Sequence, residues 1–283
     1  MPDWLILALT LSGESYMNRS VSAASPIAVV GRTAISVVQE MGFIMIFFVK
    51  AFALIFTLPT IVQKTLQQVN FIGSKSIFVI CLTGAFTGMV LGLQGYYVLV
   101  KYGSSGSLGS AVALTLIREM GPVLTAIMVI ARAGSAMSAE IGIMRISEQI
   151  DALETMDINP IQFLISPRIA AALISFPLLT ALFDVIGIFG GYLTGSVLLG
   201  LSSGIYFARV ESSVLMTDIT GGFIKSIVFA IVVITICCYH GYYTHRRSDG
   251  QGAKGVSSST TTAVVQSCVL ILITDYVLTS FLL

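Results

Sequence analysis

The chain has 283 residues, of which 55% are hydrophobic and only 10% charged, with a formal net charge of +1. Ordinary soluble domains carry about 25% charged residues, so this sequence cannot clothe a soluble fold of its size in a polar shell, and lipid must solvate much of its surface. The near-zero net charge excludes the basic field with which nucleic-acid-binding proteins meet phosphates.

At the N-terminus, Trp4 to Leu11 is apolar but short, and no Lys or Arg precedes it as a cleaved signal requires. Residues 1–30 are therefore read as a leader of unknown role, with residues 1–25 poorly structured. Residues 31–70 read as an interfacial helical region. Its apolar stretch, Ala34 to Leu58, carries Gln39, Glu40 and Lys50 and stops at Pro59. Mid-span charges are costly in hydrocarbon, so a helix in or dipping into the interface is expected, the alternative being a true additional span.

Residues 71–283 read as the transmembrane domain. A helical span needs about 20 mainly apolar residues, and five stretches qualify: about Ser76 to Val100, Ser110 to Ile130, Ile169 to Leu199, Phe223 to Tyr243, and Thr262 to the C-terminus. Arg32, Lys50, Lys64 and Lys75 precede the first span. Arg132, Arg145 and Arg168 follow the second, and Arg246, Arg247 and Lys254 follow the fourth, whereas the opposite loops hold only Lys101 and Arg209. The positive-inside rule then puts the N-terminus and the 131–168 loop in the cytoplasm and the C-terminus outside. Ser248 to Ser259 reads as a polar linker. Gly73-Ser74-Lys75-Ser76 lacks the order of a phosphate-binding loop, so any ATP must be bound by another chain.

The first span carries Gly84, Gly88 and Gly92, and the third carries Gly187, Gly191 and Gly195. Glycines four apart form a flat stripe on which another helix backbone can lie closely. The stripes serve either packing within the chain or, for at least one of them, a subunit interface or gate. The second span opens with Arg118-Glu119-Met120-Gly121-Pro122. Pro122 removes a helical hydrogen bond and Gly121 loosens the same turn, so a kink is expected. Adjacent residues on a helix point about 100° apart, so Arg118 and Glu119 address different neighbours or a wet cavity. Asp184, Asp218, Lys225 and Asp275 are further candidates for a polar interior. Lys225 can hold a phosphate or snorkel outward, and Asp275 has no obvious partner nearby in sequence. Cys81, Cys237, Cys238 and Cys268 read as buried hydrophobes, and His240 and His245 as poor metal ligands.

On the cytoplasmic side, Ile143, Ile146, Ile150 and Leu153 recur every three or four residues, with Glu148, Asp151 and Glu154 on another face. This predicts one amphipathic helix over about 139–157. Its acidic face argues against a plain membrane-surface helix, whose polar face is usually basic. It suits a coupling helix seated in a groove on a cytosolic ATPase, with Glu140, Arg145, Glu148, Asp151 and Glu154 as its charged members.

Several motifs now resemble a known family. Gly88-Met89-Val90-Leu91-Gly92-Leu93-Gln94-Gly95-Tyr96 is similar to the first-span signature of MlaE-type permeases, and Arg118-Glu119-Met120-Gly121-Pro122-Val123 to their second-span motif. Ala131-Arg132-Ala133-Gly134-Ser135-Ala136, Ala139-Glu140-Ile141-Gly142-Ile143-Met144-Arg145, Glu148-Gln149 and Ser166-Pro167-Arg168 are similar to their cytoplasmic loop. Phe176-Pro177-Leu178-Leu179-Thr180 and Ile224-Lys225-Ser226-Ile227-Val228-Phe229-Ala230 carry the likeness on, over roughly residues 70 to 283.

The resemblance implies an all-α, polytopic permease subunit of an MCE-family ABC transporter. It would be a homodimer in a bacterial inner membrane that moves phospholipids between inner and outer membranes, or in related systems sterols or other hydrophobic molecules. It would work with a cytosolic ABC ATPase that holds ATP and Mg, a periplasmic MCE-domain protein and a small STAS-domain protein, with no cofactor in this chain. A lipid's anionic headgroup and apolar tails then suggest a path bordered by Arg118, Glu119 and Lys225 and walled by Leu91, Val98 and Leu99. A membrane-embedded lipid enzyme would need a convergent nucleophile and base or a metal cluster, and an ion-coupled transporter would show inverted repeats. Neither pattern is found in the sequence.

Overall fold

Backbone buried in hydrocarbon must close its own hydrogen bonds, and helices do so within one segment. In a computed structural model, which describes residues 26–54, 61–246 and 252–282, every regular element among the described residues is helical. Five helical stretches are long and apolar enough to cross a membrane: Val62–Lys101, Ser105–Ile146, Ile161–Leu198, Met216–Tyr242 and Gly252–Leu282. They fall on the five spans expected from the sequence, most of them with added turns at an end.

In chain order the helices are α1 (Pro26–Ala53), α2 (Ile61–Ile72) and α3 (Ile77–Lys101), then α4 (Leu108–Thr115), α5 (Gly121–Val129) and α6 (Ser135–Ile146). Wider π-helical turns at Leu116–Met120 and Ile130–Gly134 join α4 to α5 and α5 to α6. There follow α7 (Gln149–Thr155), α8 (Ser166–Tyr192), α9 (Ser203–Ser213), α10 (Met216–Tyr242) and α11 (Gly252–Leu282).

The chain divides into two compact units, Met1–Met45 and Ile46–Leu283. The described part of the first is the N-terminal portion of α1, where the interfacial helix was expected. The proposed leader at residues 1–25 and the expected stop at Pro59 lie outside the described residues. Within the second unit, the end of α1 is fixed in two ways. Phe47 is buried against the rings of Tyr239, Tyr242 and Tyr243 at 5.8, 5.9 and 6.0 Å, and Ser166 Oγ donates to Ala51 O at 2.8 Å.

α8 and α10 form the centre of the second unit. α8 packs against α2, α3, α5 and α10, and α10 packs against α5, α6, α8 and α11. The closest of these contacts joins the two glycine stripes. A Cβ on Gly88 would collide with the carbonyl of Gly187, one on Gly92 would come 3.0 Å from Gly191 O, and one on Gly84 would come 3.1 Å from Phe183 O. Gly195 faces Leu108 and Tyr206. The stripes are thus used on each other and on their own chain, which is the intrachain packing that the sequence offered as one of two readings. The physical reason is register: both repeat every four residues, so two facing backbones can approach along three turns. Outside the spans, α9 is pinned by Tyr206, whose buried hydroxyl donates to Ile188 O at 3.0 Å. Burial raises that phenol well above its usual pKa.

Two local expectations are corrected. The amphipathic segment 139–157 is two helices, because α6 ends at Ile146 and α7 starts at Gln149 after Glu148 adopts a left-handed backbone, φ 58°. Asp157 repeats that conformation and stops α7, and Asn159 Oδ1 then accepts from Ile161 N at 3.1 Å to start the next helical segment. Ile150 is buried as a core-facing residue, but Ile143 is exposed. The expected linker at 248–259 is helical from Gly252 onward. Ser259 Oγ donates to His240 O of α10, and the hydroxyls that follow the stretch are absorbed by the helix: Thr260, Thr261 and Thr262 bond back to the carbonyls of Val256, Ser257 and Ser258 at 2.8, 3.0 and 2.9 Å.

Gly88→Leu should therefore separate α3 from α8. Overpacking costs about 1–3 kcal/mol where a core can adjust, and a backbone carbonyl cannot withdraw as a side chain can. Thermal unfolding of detergent-purified protein should show a large loss for Gly88→Leu and little change for Gly204→Ala, where the nearest atom to an added Cβ is a serine hydroxyl at 3.9 Å.

Candidate functional site

The second span contains a helical irregularity with a chemical consequence. Pro122 has no N–H, so the carbonyl of Arg118, four residues earlier, loses its helical donor. Gly121 N instead closes the wider turn onto Leu116 O. The freed Arg118 carbonyl accepts from Lys225 Nζ of α10 at 2.9 Å. Gly222, one turn before Lys225, lets α10 come this close, since a Cβ there would lie 2.6 Å from Ile117 O.

Lys225 has only 3% of its side chain exposed and meets four partners. Besides Arg118 O, Nζ donates to Glu119 Oε2 at 2.7 Å and to Thr279 Oγ1 at 2.7 Å, and pairs with Asp275 Oδ1 at 3.1 Å. Thr279 in turn donates to the Glu119 carboxylate at 3.2 and 3.3 Å. One ammonium thus joins the second, fourth and fifth spans. It is turned inward to these partners and does not snorkel outward. Arg118 points elsewhere, as the angle between adjacent helical residues required. Its Nε and Nη2 both reach Asp218 Oδ1 at 2.8 Å, and 39% of its side chain is exposed. Asp218 Oδ2 also accepts from the N–H of Leu215 at 3.1 Å, which closes the start of α10.

These groups border a small cavity of about 40 Å³, lined by Arg118, Glu119, Thr217, Asp218, Lys225 and Thr279 among others. Leu91, Val98 and Leu99 line a different one of about 300 Å³ between α3 and α4, with Gln94, Ala111 and Thr115. The candidate path residues are therefore gathered in two places rather than one. Thr279 carries no charge to mark it in the sequence, although it lies one helical turn from Asp275 and so shares its face.

At the end of the bundle that holds α6 and α7, four of the five proposed coupling residues are tied into the chain. Arg168 of α8, buried, pairs with Glu140 at 2.8 Å. Arg145 bridges the α6–α7 break to Asp151 at 2.7 Å, bonds His245 Nδ1 at 3.0 Å and lies over the Tyr242 ring. Tyr242 donates to Glu154 at 3.3 Å. Glu148, at the break itself, is exposed. His240, deeper in α10, shares a hydrogen bond with Gln266.

The two ion-pair groups should respond differently to mutation. Lys225→Met strands two carboxylates and a carbonyl, and removing one partner of a buried pair costs about 3–5 kcal/mol. Arg118→Met removes a half-exposed pair worth under about 1 kcal/mol. Thermal melting in detergent should rank Lys225→Met well below Arg118→Met, and equal losses would refute this assignment of burial.

The sequence profile of the MlaE permease family matches residues 65–281. A probable ABC transporter permease protein of Rickettsia typhi is 39% identical over 253 residues, covering 89% of this chain and 96% of that protein. The intermembrane phospholipid transport system permease protein MlaE of Haemophilus influenzae is 43% identical over 217 residues, covering 76% of this chain and 81% of that one. A chloroplastic protein of Arabidopsis thaliana, trigalactosyldiacylglycerol 1, is 39% identical over 219 residues, covering 77% of this chain and 61% of that protein. With five membrane-length helices and this extent of identity, the chain is a multi-pass membrane protein and belongs to the MlaE permease family.

Proposed function

We propose that this chain is the membrane-spanning subunit of an ATP-driven transporter of phospholipids between two membranes. The observation that carries the reading is the charged junction of Arg118, Glu119, Asp218, Lys225 and Asp275 inside apolar helices, in a chain similar to a phospholipid transport permease. Charges within spans are costly and mark substrate pathways. In this reading the chain works as a homodimer in a bacterial inner membrane, non-catalytic itself. ATP and Mg sit on a cytosolic ABC ATPase, and a periplasmic MCE-domain protein and a small STAS-domain protein complete the assembly.

The half-exposed guanidinium of Arg118 is the group offered to a phosphate, since an arginine can give two parallel hydrogen bonds. Lys225 and Glu119 hold the wall beside it rather than the ligand. The acyl tails take the apolar cavity at Leu91, Val98 and Leu99. The test is crosslinking with photoreactive residues at Leu99 and Glu119, irradiated after detergent purification so that only retained lipid is labelled. Labelled phospholipid should be several-fold stronger at these positions than at exposed Tyr276 of α11. Equal labelling, or ATP-dependent lipid transfer by reconstituted complex that Arg118→Ala leaves untouched, would overturn the path.

The cytoplasmic end of α6 and the short α7 form the coupling element in this proposal. Its acidic side chains face a basic groove on the ATPase, and the salt bridges of Glu140 and Arg145 make it a rigid extension of the spans. Charge reversal at Glu148 together with Glu154 should lower ATPase co-purification or uncouple hydrolysis from lipid, with the permease still folded. Unchanged complex yield and unchanged lipid-stimulated hydrolysis would refute it.

A further inference from the structure

We propose that the cleft between α8 and α10 binds the primary ammonium group of a membrane lipid, with the carboxylate of Asp184 and the hydroxyl of Thr180 as its acceptors. The site stands apart from the charged junction and from the transport reading built on it.

The cleft has a volume of about 160 Å³ and nearly apolar walls, among them Ile117, Ile188, Ile219 and Phe223. Two polar residues from successive turns of α8 line it, and each has a buried oxygen with no hydrogen-bond partner: Asp184 Oδ1 and Thr180 Oγ1. Thr180 is 3% exposed. Buried polar groups left unpaired are costly and call for an explanation.

Neither atom takes the solution its counterparts take. Asp218 is paired with Arg118, and Glu119 and Asp275 are paired with Lys225. Arg118 and Lys225 line the other cavity, so neither of these cations is spent on Asp184. Helical threonines in this chain commonly bond back to the carbonyl four residues earlier, as Thr83 does to Val79 and Thr220 to Met216. Thr180 does not. The carboxylate also has a prepared seat, because a Cβ on Gly121 would collide with Asp184 Oδ1. Only the bare backbone of a glycine admits the carboxyl at that depth.

The occupant follows from these acceptors. It must bring positive charge to a carboxylate and N–H or O–H donors to two oxygens. A primary ammonium brings both, a quaternary ammonium brings charge without donors, and a hydroxyl brings a donor without charge. A cavity of about 150 Å³ admits benzene, so an aminoethyl group fits. The rim includes Val185, 66% exposed, and Phe223, 37% exposed. The cleft therefore opens on the outside of a membrane-spanning unit, and the amine that reaches it is carried by a lipid.

The experiment equilibrates detergent-purified protein with an equimolar mixture of phosphatidylethanolamine, phosphatidylcholine and phosphatidylglycerol of identical acyl chains. Retained lipid is counted by native mass spectrometry. Wild type should retain phosphatidylethanolamine over each of the others by about tenfold, the scale of one charge-assisted hydrogen bond. Asp184→Asn should bring the ratio close to one, and Thr180→Val, which keeps the side-chain volume, should lower it several-fold. Were Asp184→Asn to misfold, Thr180→Val alone decides. No enrichment in wild type, or enrichment that folded variants at both positions retain, would overturn the proposal. ATP-driven transfer measured on the same variants reads the transport function separately, so lost selectivity with transfer intact leaves that reading in place.

Discussion

A charge or a carbonyl in hydrocarbon must find its partner inside the protein, and in this chain one ammonium meets that constraint for three spans at once. Lys225 supplies the donor that Pro122 withholds from Arg118 O, and it pairs with both Glu119 and Asp275. The wide turn in the second span and a face of the fifth span meet at that junction, while Arg118 is left to pair with Asp218 at the cavity edge. A helix carrying Pro122 without Lys225 would leave a polar atom bare in the membrane, and Lys225 without the two carboxylates would be an unpaired buried cation.

The remainder of the fold supplies the rigidity that such a junction requires. The facing glycine stripes of α3 and α8 fix one side by backbone proximity. At the other end of the second span, Arg132 plays a role parallel to that of Lys225. Its Nη1 donates to Phe71 O, near the last turn of α2, and to Ser76 Oγ, and its guanidinium lies over the Phe71 ring. A cation at a helix C-terminus is favoured by the helix dipole. Both π-helical turns of the second span thus carry a charged side chain that reaches another helix, which suits wide turns that leave backbone carbonyls to be satisfied from outside.

Much of this was legible in the sequence, for reasons that are local. Span positions follow from runs of about 20 apolar residues, and the divergence of Arg118 from Glu119 follows from helical geometry alone. The pairings did not follow. Arg118 meets Asp218 and Glu119 meets Lys225 across about a hundred residues of sequence, and only the packing of α10 against the second span decides which carboxylate meets which cation. The glycine stripes were visible, but their mutual contact was not, since a stripe says that a backbone will approach and not whose. The break at Glu148 could not be read either, because a glutamate at positive φ has no sequence signal. The stretch 248–259 reads as a linker from its glycines and serines, whereas it is helical from Gly252 and Ser259 donates to His240 O of the neighbouring helix.

The central claim is that Glu119, Lys225 and Asp275 act as one unit that holds three helices. A double-mutant cycle tests it most directly, comparing Glu119→Gln, Lys225→Met and their combination by reversible unfolding in a defined detergent. Residues in one network show interaction energies of about 0.5–3 kcal/mol, whereas independent sites add to within about 0.5 kcal/mol. The account predicts a coupling at the upper end of that range, with the double variant more stable than the lysine variant alone. Additive losses would contradict it.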